Sequence, residues 1–90
     1  MNKKKGITKM NLCFIIGKII SEIKFDFVLN SKHIAIVKFN VELENKASIE
    51  VVGYDKIADF CYHRLLQGDF VGILGHITSQ GKIVIDEIET

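Results

Sequence analysis

The stretch VVGYDKIADF, residues 51–60, changes its periodicity halfway along. Up to Tyr54 it is the end of a β-branched run, with the strand signature of alternating faces. From Asp55 onward Ile57, Ala58, Cys61, Leu65 and Leu66 fall at helical spacing, which predicts an amphipathic helix of about three turns. Asp55 offers an N-cap, and Gly68 a stop. Tyr54 therefore stands at a strand-to-helix corner. Its ring either fills that corner, with the hydroxyl in water, or presents a face to a flat partner.

Outward from this corner the signals are mostly of period two. NLCFIIGKII, residues 11–20, reads as a strand dense in Ile and Phe, and Gly17 within it marks a bend or bulge. HIAIVKFNVEL, residues 33–43, puts Ala35, Val37, Phe39, Val41 and Leu43 on one face and Lys38, Asn40 and Glu42 on the other. A short ENKA connection leads into SIEVVGY, so these two strands form a hairpin. After the helix, DFVGILGHI and KIVIDEI are two more strands joined by the polar TSQG turn. Three strands, one helix and two strands, with a first strand able to curl at Gly17, is the order of an all-β, five-stranded OB-fold barrel whose helix lies between strands 3 and 4.

Ninety residues, 48% of them apolar, close a single modest core, and with no proline and no repeat the chain shows no linker. We read residues 1–9 as a basic, flexible N-terminal extension carrying Lys3, Lys4, Lys5 and Lys9, and residues 10–90 as the folded domain. The lysines and the apolar run from Leu12 to Ile16 resemble a secretion signal only superficially, since Gly17 and Lys18 interrupt the run and no small-residue cleavage site follows. A cytoplasmic protein with no membrane segment is expected. The formal charge is only +1, so a polyanion would have to meet a local patch. Residues 1–56 carry ten lysines against six acids, whereas residues 57–90 carry Arg64 and Lys82 against five. Cys13 and Cys61 are too few for a disulfide scaffold and belong to no zinc pattern, so both are expected as buried thiols.

NLCFIIGKI, GYDKIAD and LLQGDFVGILGHI, in this order over roughly residues 11–80, resemble the segments that frame bacterial single-stranded DNA-binding proteins. They are similar also to the OB proteins of the primosomal replication protein B type. The family pattern has an Asn-led strand closing on glycine, an aromatic residue before a Lys-Leu-Ala helix start, and a Gly-x-x-Val-x-x-x-Gly strand. Its start methionine falls where Met10 stands. The departures are specific: the sequence contains no tryptophan, Ser48 stands where the family has one, Glu50 replaces a basic residue, and the last strand closes on IDEIET where the family carries on into a tail with an acidic, Phe-terminated peptide.

The resemblance implies a non-enzymatic single-stranded DNA-binding protein, a homodimer or homotetramer built through the first strand or by sheet-edge pairing. Replication or recombination proteins would be its further partners, and RNA an alternative strand. It also implies that Tyr54 is the ring on which a base stacks. From alternation, Lys38 and Asn40 point outward with Val52 and Tyr54, flanked by Lys18 beyond the bend. Phe25 and Phe27, with Lys24 and Lys32 nearby, are expected in the long connection after the first strand, over the ligand; otherwise they continue that strand or pack in a subunit interface. A scaffold that has lost nucleic-acid binding and serves as a protein-interaction module is the competing reading, favoured by Glu50 and the missing tryptophans.

Catalysis has no constellation to carry it. His33, His63 and His76 are far apart and match no dyad or metal spacing, and Asp86 and Glu87 are adjacent on a strand and face opposite ways. Gly72 and Gly75 are strand glycines, not a phosphate loop. No cofactor and no metal are expected.

Overall fold

The structure is a computed structural model that describes residues 11–28 and 32–90; the basic extension at residues 1–9 lies outside them. Its elements are β1 (Cys13–Ile19), β2 (Lys24–Phe27), β3 (Ala35–Glu42), β4 (Ser48–Tyr54), α1 (Lys56–Arg64), β5 (Phe70–Ile77) and β6 (Ile83–Glu89). The sheet runs β1-β5-β6-β4-β3-β2, and a second pairing of β1 with β3 closes it into a barrel. Every pairing is antiparallel except β4 with β6. The five barrel strands and the single helix are those of the expected OB-fold. The short β2 is an addition.

β1 pairs first with β5, from Cys13 opposite Gly75 to Lys18 opposite Phe70, then crosses to β3, where Ile19 faces Val41. The crossing brings two backbones together at Gly17. A Cβ there would lie 2.6 Å from Cγ1 of Val41 and press on the Glu42 carbonyl. The bend read from the sequence is thus a close approach that only glycine allows.

Phe25 and Phe27 do not lie in a loop. Beyond β1 the Ile20 amide still donates to the Asn40 carbonyl, and pairing resumes with Lys24 opposite Lys38. Three residues, 21 to 23, therefore face Phe39 alone, a bulge that Ser21 bridges by accepting the Asn40 amide at 2.8 Å. Because the bulge adds an even number of residues, alternation survives it. Ile15, Ile19, Ile23, Phe25 and Phe27 all keep the inward parity, so β2 continues β1 along β3.

Inside the barrel lie Ile15, Ile19, Val37, Phe39, Val41, Val51, Ile73 and Ile85, and α1 adds Ala58 and Cys61, with Leu65 directly after it. Desolvation pushes the Cys61 thiol up to about 12. Cys13 is only half-buried, and both cysteines are free. The helix ends at Arg64, before Gly68, and Leu65 already has extended dihedrals. Leu66 thereby loses the helical face assigned to it and is 72% exposed. Val52 departs from expectation in the opposite sense: on the outer face, between Lys38 and Val84 on the neighbouring strands, it is 2% exposed. Among the described residues no helix is long and apolar enough to cross a membrane.

Candidate nucleic-acid interface

The outer face of β2, β3 and β4 collects the most of the predicted site. Lys24, Lys38 and Val52 form one row across the three strands, and Asp26, Ile36 and Tyr54 the next. Asn40 lies opposite Glu50 in the row on the other side of Lys38. Tyr54 is thus a diagonal neighbour of Lys38, with backbones about 7–8 Å apart. Lys24 and Lys38 stand directly opposite each other, and among the described residues neither takes part in an ion pair; the pairs present all use histidine. Like charges in that position repel and destabilise the strand pair. An anion laid across β2 and β3 would relieve the repulsion. A shallow groove between Lys24, Phe25, Asp26, Ile36 and Lys38 runs along this line.

Lys18 lies elsewhere on the outer surface. It faces Glu42 on β3 and Phe70 on β5, four residues from Lys38 along β3 or about 13 Å, and it shares a groove with Glu42, Glu44 and Lys46. Phe25 and Phe27 are on the opposite side of the β2–β3 ribbon from Lys38. Phe25 packs against Tyr62 of α1 with centroids 4.8 Å apart, and Phe27 stands edge-on to Phe25 at 5.5 Å. Of the six residues singled out in the sequence, Tyr54, Lys38 and Asn40 come together; Lys18, Phe25 and Phe27 do not join them.

The corner at Tyr54 is built differently from expectation. Asp55 makes no side-chain cap on α1; its φ of 54° and ψ of −112° turn the carboxylate back toward β3. Oδ1 accepts the amides of Ile34 at 2.8 Å and Ala35 at 3.2 Å, and the Asp55 amide donates to the Ala35 carbonyl at 3.0 Å. Oδ2 lies 2.8 Å from Nδ1 of His33. These hydrogen bonds, that of His33 foremost, hold the Asp55 carboxyl below its ordinary value of 3.8. The His33 ring is laid on Tyr54, centroids 4.1 Å apart and planes 16° from parallel.

His33 was therefore missed as a member of this site. Each of the three histidines contacts a carboxylate: His33 with Asp55, His63 with Asp59 at 3.3 Å, and His76 with Asp86 at 2.9 Å. Only His63–Asp59, four apart on a helix, could be seen in the sequence. His76–Asp86 joins β5 to β6, and His33–Asp55 joins the segment before β3 to the β4–α1 corner. Among the described residues no group of three His, Cys, Asp or Glu side chains could hold a metal ion.

The fold is shared with solved structures. The SSB domain of a Synechococcus protein superposes with a TM-score of 0.79 at 15% identity, covering 90% of this chain and 96% of that one. The single-stranded DNA-binding protein of Thermus aquaticus gives a TM-score of 0.77 at 15% identity, over 89% of this chain but only 39% of its own length. The mitochondrial single-stranded DNA-binding protein of S. cerevisiae gives 0.75 at 14%, covering 87% and 90%. No protein-family model and no curated protein matches the sequence. At such identities the likeness establishes the barrel and its connectivity.

Proposed function

We propose that the protein binds single-stranded DNA across the outer face of β2, β3 and β4, coating or handing over single strands in replication, recombination or mobile-element transfer. The observation that carries this reading is the unneutralised Lys24–Lys38 pair diagonal to Tyr54, because phosphate charge and base stacking are the two needs of a single-strand groove. Three structural neighbours that are single-stranded DNA-binding proteins or SSB domains support it. Bases stack at Tyr54, while Lys24 and Lys38 meet phosphates and Asn40 contacts the strand nearby. Glu50, Glu42 and Glu44 repel phosphates and turn the strand away from the β3–β4 turn.

One such site is weak, since a single stacked base contributes roughly 1–3 kcal/mol. Association of subunits multiplies it. Leu12 just ahead of β1, Phe14 and Ile16 on β1 and Phe70 on β5 are exposed on the outer surface, an apolar surface suited to a dimer or tetramer of this chain. The function needs no cofactor and no catalytic group. Exposed Glu50 favours the second reading, a protein-interaction module without nucleic-acid affinity.

Salt separates the two. Anisotropy of a labelled oligothymidine of about 35 nucleotides should report binding that weakens as salt rises, with a logarithmic slope near −1.4 per subunit from two phosphate contacts. Lys38→Ala is expected to reduce that slope by about 0.7. Absence of binding even at low salt would leave the protein-interaction reading.

A further inference from the structure

Tyr54 is not a lone ring. One of its faces is taken by His33, and His33 is tied by Nδ1 to a carboxylate that also grips the next two backbone amides. Hydrogen bonds through both carboxylate oxygens fix the segment entering β3 against the β4–α1 corner. A ring held in that way is a poor lid, because swinging it off Tyr54 breaks a charge-assisted hydrogen bond together with the stack. It is a good plate. Histidine, like tyrosine, is a surface on which unstacked bases lie, and a stacked pair offers a taller and more rigid column than one ring. His33 also retains a partly exposed side chain, 37% accessible, as a contact residue must.

We infer that His33 is itself a nucleic-acid-contacting residue: the base-stacking element is the His33–Tyr54 column, ordered before the strand arrives by Asp55, and the base stacks on His33. Asp55 is then a positioning residue. This inference rests on the single-strand reading and adds to it the residue that the base touches. Preorganisation of the column lowers the ordering cost of binding.

The test uses the full chain and oligothymidine at low salt. Wild type, Tyr54→Ala, His33→Ala and His33→Phe are compared by anisotropy, and an oligonucleotide carrying 5-iodouracil is photo-crosslinked to wild type and mapped by mass spectrometry. His33→Ala is expected to weaken binding about fivefold or more, and His33→Phe, which keeps a stacking ring, to retain most of the affinity. Crosslinks are expected on His33. Tighter binding by His33→Ala would mean that the ring blocks the site, and would overturn the inference. Unchanged affinity with crosslinks on Tyr54 alone, where Tyr54→Ala still weakens binding, would also overturn it while leaving the single-strand reading intact. Failure of wild type to bind would remove both. If His33→Ala does not fold, the crosslinking of wild type decides.

Discussion

Asp55 sits where a helix cap is expected, but its carboxylate serves the segment before β3, and this single choice orders the Tyr54 corner. An aspartate ahead of a helical run looks the same in sequence whichever way its backbone turns, so the positive φ was invisible there. The same is true of His33, whose partner is 22 residues away. Tyr54 and Lys38, in contrast, were legible because strand alternation alone assigns their face. The depressed Asp55 carboxyl gives a prediction with a definite sign. Its links favour the folded state above the ordinary carboxylate value of 3.8 and are lost as pH falls through the lower folded value. Ring-current shifts of the His33 and Tyr54 protons, followed by NMR in acid, are expected to collapse only below that value. Asp55→Asn is expected to lose this acid step, and a column that persists unchanged at the lowest pH would contradict the role given to Asp55.

At the scale of elements, β2 was the part that could be read two ways, as a loop over the ligand or as a continuation of the first strand, and it is the continuation. Four residues with two polar-to-phenylalanine alternations, Lys24–Phe25 and Asp26–Phe27, are too short a strand signal, and no turn residues separate them from β1 as a hairpin would require. A readable signal existed: odd-numbered apolar residues run from Ile15 to Phe27, and an even-numbered bulge preserves the parity. That parity also explains why Phe25 packs toward α1 and leaves the lysine face to Lys24. Gly17 was read correctly, since a long first strand that joins both halves of a barrel has to cross closely somewhere. Gly17→Ala is expected to cost about 1–3 kcal/mol through the clash with Val41 and Glu42, lowering the melting temperature by roughly 4–8 °C for each kcal/mol. Urea or thermal unfolding by circular dichroism measures it, and wild-type stability in this variant would disprove the close crossing.

For the whole molecule, the order of strands and helix was enough to give the barrel, because few topologies accommodate one helix between two groups of strands. The grouping of the site residues was not, since Lys18 and Lys38 share a surface in a strand diagram but are separated along β3 by the point where β1 leaves it. A near-neutral protein can still hold a polyanion if positive charge is gathered locally, and here Lys24 and Lys38 stand together with Asp26 as the acid in the next row of that face, while Glu42 and Glu44 lie near the β3–β4 turn. The most direct test is a titration of isotope-labelled protein with oligothymidine at low salt, followed by amide NMR shifts. The largest changes are expected on Lys24, Lys38, Asn40, Tyr54 and the segment around His33. Changes confined to the Phe14–Ile16 face or to Phe27 and Tyr62, or no change at any residue, would contradict it.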